Sequence, residues 1–242
     1  MCRLGTGGRV MPMRAAEIRE SIVETAQRLQ RIGLLSLTAG NLSVRVEGEL
    51  MAITPTGMPY ELIGPEDVVI TDLAGNVVDG HRRPSSELPF HSAVLRARPD
   101  IGAVVHTHSL YATTLAVLGR TIPAIHYVIA SLDLTTVPLV PYSTYGSLEL
   151  ADGITAAIGA GGKAALLANH GALALGTDLA GAATAAELLE FLASVYHHAL
   201  AVGEPVVLPD EEIAVVGERH RDYGQPGERR PSDARDGGAA PR

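Results

Sequence analysis

The sequence predicts an α/β fold built as one domain. Runs with apolar residues at helical spacing alternate with short apolar runs that are typical of strands, and no internal repeat is visible. At 242 residues the chain is long enough for one substantial domain with a sizeable core.

The part of the chain before residue 100 predicts one helix, three strands and a second helix. Apolar residues at helical spacing predict the first helix, which Gly33 ends. Alternating apolar residues predict the strands, and a turn at 74–76 follows the third of them. Pro99 ends the second helix. In chain order, these elements cover residues 14–31, 42–46, 51–54, 68–71 and 86–98.

The part of the chain after residue 100 predicts four strands and three helices. Short apolar runs predict the strands, and a stretch rich in Ala and Leu predicts a long final helix with Asp178 as its N-cap. The strands cover residues 101–108, 136–140, 164–168 and 173–175. The helices cover residues 111–118, 148–158 and 179–202.

These elements divide the chain into an extension at 1–13, a domain at 14–224 and a tail at 225–242. The tail consists mainly of Gly, Pro, Arg and Asp without apolar periodicity, so we expect it to be disordered. The extension precedes the first predicted helix, and we expect disorder there too.

Composition argues against several classes of partner. The net charge of −8 disfavours nonspecific binding to nucleic acid or to an anionic membrane, although it allows a local pocket for phosphate. Cys2 is the only cysteine, so no disulfide forms within the chain. The first dozen residues lack the apolar core of a signal peptide, and no run of about 18 apolar residues occurs. We therefore expect a cytoplasmic protein that does not span a membrane.

Three histidines and one glutamate form a candidate metal site. His106 and His108 close a predicted strand, and alternate residues of a strand point to one face. His170 follows a second strand, and three imidazoles leave a divalent metal one open position, where Glu87 can bind or act. Each motif alone has a simpler explanation, such as buried or surface histidines, or a helix start at Glu87. Their coincidence at strand ends and a helix start favours a site.

Three polar turns, at 38–43, 54–57 and 85–86, predict a site for a small anion. They combine hydroxyls, amides and exposed backbone N–H groups, which together hold phosphate in many proteins. They do not match the Walker or dinucleotide fingerprints, so neither ATP nor NAD is indicated.

The order of these motifs resembles the class II aldolase/adducin family. The motifs are Thr38-Ala39-Gly40-Asn41, Ile53-Thr54-Pro55-Thr56-Gly57, Pro84-Ser85-Ser86-Glu87, Val104-Val105-His106-Thr107-His108 and Asn169-His170-Gly171. The segments 122–127, 141–146 and 210–216, with Tyr223-Gly224, resemble the branch that cleaves L-fuculose 1-phosphate. The resemblance runs from about residue 14 to residue 224, and so identifies 14–224 as a class II aldolase domain.

The resemblance implies a central, mainly antiparallel mixed sheet flanked by helices, in a homotetramer with active sites at subunit interfaces. It implies one Zn²⁺ per chain, or another divalent metal in its place. The implied reaction is reversible cleavage of a ketose 1-phosphate to dihydroxyacetone phosphate and a short aldehyde such as L-lactaldehyde.

The resemblance also implies a role for each site residue. The metal ligands are His106, His108 and His170, with Glu87 as acid/base and as an additional ligand before substrate binds. The phosphate is held by Asn41, Thr56, Gly57, Ser85 and Ser86. The aldehyde half is served by Tyr127 from a neighbouring subunit and by Tyr223, which closes over the site.

The chain departs from the family pattern in the aldehyde half. Ser131-Leu132-Asp133 stands where similar sequences have a Gly-rich turn, and Tyr145 and His220 stand where apolar aromatics are expected. Lys163 is the only lysine, and the sequence offers no partner that would activate it, so a Schiff-base aldolase is disfavoured.

Four alternatives stay open. The substrate can be 5-deoxyribulose 1-phosphate or a 5-substituted pentulose 1-phosphate from nucleoside salvage. A pentulose-5-phosphate 4-epimerase shares the fold, but that branch resembles Pro-Ser-Ser-Asp where this chain has Glu87. A methylthioribulose-1-phosphate dehydratase keeps the histidines. A non-catalytic adducin-like binding module loses metal ligands, whereas all three histidines are present here.

Overall fold

An eight-stranded sheet forms the centre of the computed structural model, which describes residues 13–159 and 161–221. The predicted disorder of 1–13 and 225–242 therefore lies outside the described residues, except for Met13, and so does Tyr223. The strand order is β4-β3-β2-β1-β5-β10-β9-β8. In chain order the strands are β1 (Asn41–Val46), β2 (Leu50–Ile53), β3 (Val69–Asp72), β4 (Val77–Asp79), β5 (Ala103–Thr107), β6 (Ile122–Pro123), β7 (Thr136–Val137), β8 (Leu139–Val140), β9 (Ala164–Leu167) and β10 (Gly171–Gly176).

Helices cover both faces of this sheet. They are α1 (Ala16–Arg31), α2 (Leu88–Ala97), α3 (Leu110–Val117), α4 (Leu148–Ile158), α5 (Leu179–Val202) and α6 (Asp210–Arg221). One buried cluster joins the sheet to α1, α3, α5 and α6, and a second joins it to α2 and α4. Along β5, Ala103 and Val105 enter the first cluster and Val104 enters the second. A strand that is buried on both faces has a continuous run of apolar residues, and this run predicted β5 from the sequence.

The pairing pattern confirms a mainly antiparallel mixed sheet. In the order of the sheet, each pair of neighbouring strands from β4 through β1, β5 and β10 to β9 is antiparallel. Among the described strands, only β8 and β9 pair in parallel. The central strand β5 pairs with β1 on one side and β10 on the other. His106 therefore lies opposite Asn41 in β1 and opposite Leu173 in β10.

The predicted strand at 136–140 is wrong as a single element. Pro138 divides it into β7 and β8, because proline has no N–H to give to a ladder. β7 pairs with β6 in a separate two-stranded sheet, whereas β8 lies at the edge of the main sheet. The helix α6 was not predicted, since Ile213 is its only fully buried apolar residue and its periodicity is weak.

The long helix α5 belongs to the core. Among the described residues, α5 is the one helix that is long and apolar enough to cross a membrane. Of its most apolar 18-residue stretch, 44% is buried inside the protein. It lies against β5 and β10, and Asp178 caps it by accepting a hydrogen bond from the Gly181 N–H, as predicted. Packing in the core therefore accounts for its apolar residues.

Glu190 of α5 should stabilise the neighbouring helix α3. Its carboxylate accepts hydrogen bonds from the backbone N–H groups of Tyr111 and Ala112, at 2.8 and 2.9 Å, in the first turn of α3. Loss of such a cap costs about 1–2 kcal/mol, so Glu190→Ala should lower the free energy of unfolding by that amount in urea titrations. Glu187→Ala is the control, because its ion pair with Arg28 is solvent-exposed and should contribute under about 1 kcal/mol. Equal losses in the two variants would contradict the capping role.

Candidate active site

Four side chains meet at one end of the central strands. Glu87, His106, His108 and His170 each offer a ligand atom, and these atoms all lie within 4.8 Å of one another. The Nε2 atoms of His106 and His108 are 3.0 Å apart. The Glu87 carboxylate lies 3.1 Å from His106 Nε2 and 3.2 Å from His170 Nε2. The structure thus brings together the four residues that the sequence predicted as one cluster.

The turn between β9 and β10 carries His170 to this cluster. Asn169 adopts a left-handed backbone conformation with φ of 54°, which asparagine tolerates better than most residues. Gly171 follows, and a Cβ atom there would lie 2.4 Å from the Thr107 carbonyl oxygen and 3.0 Å from the His108 ring. Glycine is therefore required at this position for β10 to come close to His106 and His108.

A backbone carbonyl sets the tautomer of His106. His106 Nδ1 is 2.9 Å from the carbonyl oxygen of Ala172, and a carbonyl only accepts, so Nδ1 carries the hydrogen and the Nε2 lone pair faces the cluster. Burial, reinforced by the neighbouring His106 and His170, lowers the pKa of His108 to about 4. Near neutral pH His108 is therefore an uncharged imidazole, which is the form that binds metals.

Glu87 lies just before the first residue of α2 and turns its side chain inward instead of capping the helix. The segment is thus a helix start, and Glu87 also belongs to the cluster. Burial by itself raises the pKa of Glu87, but the neighbouring His106 and the contacts with His106, His170 and Asn41 outweigh burial and hold that pKa below its usual range. Glu87 Oε2 accepts a hydrogen bond from Asn41 Nδ2 at 2.9 Å. Its other oxygen, Oε1, lies 3.2 Å from His170 Nε2 and accepts no hydrogen bond from the described residues.

These four side chains fit a divalent metal ion. Three imidazole nitrogens and a carboxylate oxygen form a donor set that zinc commonly takes. At 3.0 Å the two facing Nε2 atoms of His106 and His108 can share at most one hydrogen between them, and Glu87 Oε1 lacks a partner. A cation would satisfy all of these lone pairs at once.

A cavity of about 270 Å³ opens beside the cluster. Its wall contains every residue predicted to hold phosphate, namely Asn41, Thr56, Gly57, Ser85 and Ser86. Tyr145, expected to line the aldehyde side, also lines it, together with Tyr142, Ser143 and Asn169. We did not predict Tyr142 and Ser143 as site residues, although the run of hydroxyls from Tyr142 to Tyr145 offered a signal.

Backbone pairing holds the two main polar turns together. The Thr56 N–H donates to the Arg83 carbonyl at 3.1 Å, and the Ser85 N–H donates to the Thr54 carbonyl at 3.0 Å. This pairing fixes the turn at 54–57 against Ser85 and Ser86. Gly57, with φ of 68°, makes the tight turn that a residue with a side chain would rarely adopt.

Tyr127 and His220 lie outside this cavity. The Tyr127 side chain is 52% exposed and stacks on His126, with ring centroids 4.7 Å apart. His220 lies beside it and contacts Ser131 Oγ at 3.0 Å. Both residues line a separate cavity of the same chain, so the expectation that His220 lines the aldehyde side is not met within one chain.

Comparisons with known proteins agree with this geometry. The model of the class II aldolase and adducin N-terminal domain matches residues 20–197. L-fuculose phosphate aldolase of Escherichia coli (strain K12) is 42% identical over 213 residues, which cover 88% of this chain and 98% of that protein. The 5-deoxy-D-ribulose 1-phosphate aldolase of Bacillus thuringiensis serovar kurstaki is 43% identical over 209 residues, covering 86% and 97% respectively.

The fold agrees equally well with a solved structure. An L-fuculose 1-phosphate aldolase structure matches with a TM-score of 0.83 and 41% identity, covering 86% of this chain and 98% of that one. The match includes the sheet that carries the cluster, so likeness in sequence and likeness in fold coincide. The chain therefore belongs to the class II aldolase and adducin family, and it is a metal-dependent lyase of that family.

Proposed function

We propose that this protein is a zinc-dependent aldolase that cleaves a ketose 1-phosphate of the L-fuculose 1-phosphate type. The products are dihydroxyacetone phosphate and a short aldehyde such as L-lactaldehyde, and the reaction is reversible. The observation that carries this proposal is the position of the Glu87 and histidine cluster beside a cavity walled by hydroxyl, amide and backbone N–H groups. The names of the two relatives, both sugar phosphate aldolases, support it.

His106, His108, His170 and Glu87 would hold one zinc ion per chain, or another divalent metal. Bound there, the metal would supply Lewis-acid stabilisation of the negative charge that develops when a carbon–carbon bond beside a ketone breaks. Glu87 would move the proton at the carbon that becomes nucleophilic, because a carboxylate beside the reacting carbon can act as acid or base. In the cleavage direction it gives that carbon a proton, and in the condensation direction it removes one.

Neutral groups would bind the substrate phosphate in this cavity. None of the described residues that line it is Lys or Arg, so hydroxyls, amides and backbone N–H groups are the available donors. We assign this role to Asn41, Thr56, Gly57, Ser85 and Ser86. Binding energy gained at the phosphate would hold the reacting carbon in place, which is how a remote group accelerates a reaction.

Tyrosines would serve the aldehyde half. In the cleavage direction the hydroxyl group that becomes the aldehyde must lose a proton, and a tyrosine hydroxyl can relay it, taking that proton while its own hydroxyl proton passes to solvent. We assign this role to Tyr127 of a neighbouring subunit, with Tyr223 closing the site. The exposure of Tyr127 and its absence from the wall of its own chain's candidate active-site cavity support sharing between subunits. The proposal therefore includes a homotetramer, and it places the enzyme in the cytoplasm.

A second candidate substrate is 5-deoxyribulose 1-phosphate or a 5-substituted pentulose 1-phosphate from nucleoside salvage. The relative named for 5-deoxy-D-ribulose 1-phosphate is as similar to this chain as the one named for L-fuculose phosphate. The hydroxyls of Tyr142, Ser143 and Tyr145 give the cavity a polar wall that differs from the expected apolar aromatics. A binding module without catalysis is disfavoured, because the four-residue cluster is intact.

The metal proposal predicts close to one zinc per chain in the purified protein, with activity lost on chelation and restored by zinc. His108→Ala should lose most of this metal, because two imidazoles remain where three were available. His81→Ala is the control, since His81 is 59% exposed and lies outside the cluster. Metal analysis checks both, and full metal content in His108→Ala would show that the site is assigned wrongly.

The acid/base proposal predicts that Glu87→Gln loses about 10²–10⁴ in cleavage rate. The variant should fold and keep zinc, because three imidazoles remain and the amide is isosteric with the carboxyl group. It should also lose exchange of solvent deuterium into dihydroxyacetone phosphate, which NMR measures. Glu61→Gln, a change at an exposed glutamate, should exchange as the wild type does. Normal exchange in Glu87→Gln would move the role to another residue.

Product analysis tests the proposed reaction itself. Purified protein should convert L-fuculose 1-phosphate to dihydroxyacetone phosphate and lactaldehyde, while unphosphorylated L-fuculose should be cleaved very poorly for lack of binding energy at the phosphate. Faster cleavage of 5-deoxyribulose 1-phosphate would favour the second candidate. An epimerised or dehydrated sugar phosphate as the product would contradict an aldolase.

A further inference from the structure

A buried chain of hydrogen bonds ends on the proposed acid/base. Ser43 Oγ lies 2.7 Å from His91 Nδ1, His91 Nε2 lies 2.5 Å from Asn41 Oδ1, and Asn41 Nδ2 lies 2.9 Å from Glu87 Oε2. Ser43 and His91 are completely buried, and Asn41 and Glu87 are each only 6% exposed. None of the roles proposed above uses His91 or Ser43.

The direction of every bond in this chain follows from the chemistry of its two ends. A carboxylate oxygen only accepts, so Asn41 presents its Nδ2 hydrogen to Glu87 and its Oδ1 to His91. Oδ1 also only accepts, so His91 carries its hydrogen on Nε2. His91 Nδ1 is then an acceptor, and the Ser43 hydroxyl donates to it. Burial lowers the pKa of His91 to about 3, in agreement with a neutral ring that has one hydrogen.

The chain is held from two secondary structure elements. Asn41 and Ser43 alternate on β1 and so face the same side of the sheet. His91 lies four residues after Glu87, and i and i+4 positions share a helix face. The Asn41 amide of β1 therefore lies between two side chains of the α2 segment, with His91 on one side and Glu87 on the other.

His91 fixes the orientation of the Asn41 amide. A rotation of this amide by 180° would turn Nδ2, a donor, towards the N–H of His91, which is also a donor. The N–H of His91 therefore opposes this rotation. With the amide fixed, Asn41 Nδ2 keeps donating to Glu87 Oε2, and the carboxylate is held in one position within the cluster.

We propose that His91 is a positioning residue for the aldol reaction, which holds the Glu87 carboxylate in place through the Asn41 amide. This inference rests on the proposed role of Glu87 as acid/base. The second hydrogen of Asn41 Nδ2 stays available to the substrate phosphate. The same amide would therefore contact both Glu87 and the bound substrate and fix their relative positions.

Two substitutions at His91 separate positioning from packing. His91→Gln keeps an N–H donor at the end of a side chain of similar reach, whereas His91→Leu fills the buried space without a donor. Misplacement of a catalytic group by about 1 Å can cost about 10² in rate, so His91→Leu should lower kcat by about that factor with little change in KM. The kcat of His91→Gln should be at least about tenfold higher than the kcat of His91→Leu.

Metal content and a neighbouring substitution complete the design. Every variant should contain as much metal as the wild type, because none of the four cluster residues is changed. Ser92→Ala is the matched control, since Ser92 is the next residue of α2 and its buried hydroxyl has no hydrogen-bond partner among the described residues. It should keep the kcat of the wild type.

Each outcome decides one question. If the wild type is active and His91→Leu and His91→Gln have equal kcat values, the positioning role is refuted and the proposed function is not affected. Loss of metal together with kcat in His91→Leu would overturn it as well, in favour of a structural role. If His91→Leu does not fold, Ser43→Ala gives the answer, because it removes the hydrogen bond that holds His91 Nδ1 and so lets the ring move, and an unchanged kcat there would refute the inference. A wild type that cleaves no ketose 1-phosphate would overturn the proposed function and this inference with it.

Discussion

The register between three central strands is the constraint on which the site depends. Pairing of β1 and β10 with β5 sets Asn41 and Leu173 opposite His106, so that residues far apart in sequence meet at one end of the sheet. A slip of one residue would turn His106 to the other face, since side chains alternate along a strand.

Burial of polar groups at this point requires that each be satisfied. Transfer of an unpaired charge into the interior costs several kcal/mol, and Glu87 and His106 are almost fully buried. The Ala172 carbonyl satisfies one end of His106, and Asn41 satisfies one oxygen of Glu87. The atoms that remain are lone pairs directed at one another, and a divalent cation is the kind of partner that suits all of them. The same groups thus create a need for the metal and fix its geometry.

Local patterns made much of the fold and site predictable. Five of the six α-helices described, most of the sheet, the histidine cluster and the polar turns follow from periodicity, turn chemistry and motif order. The split at Pro138, the helix α6 and the position of His220 depend on tertiary packing, which local patterns do not record. His91 was overlooked because an isolated histidine on an apolar helix face gives no signal, and its partners Ser43 and Asn41 lie about 50 residues away. Its role emerges only when α2 is seen against β1.

X-ray absorption spectroscopy at the zinc edge tests the central claim most directly, because it reports the ligands of the bound metal independently of activity. If β5, the residue after it and the turn before β10 supply His106, His108 and His170 to one ion, the spectrum of the purified protein will show three imidazole nitrogens at about 2.0–2.1 Å and additional oxygen scattering. A spectrum with fewer than three imidazoles, or with oxygen ligands only, would contradict the site described here.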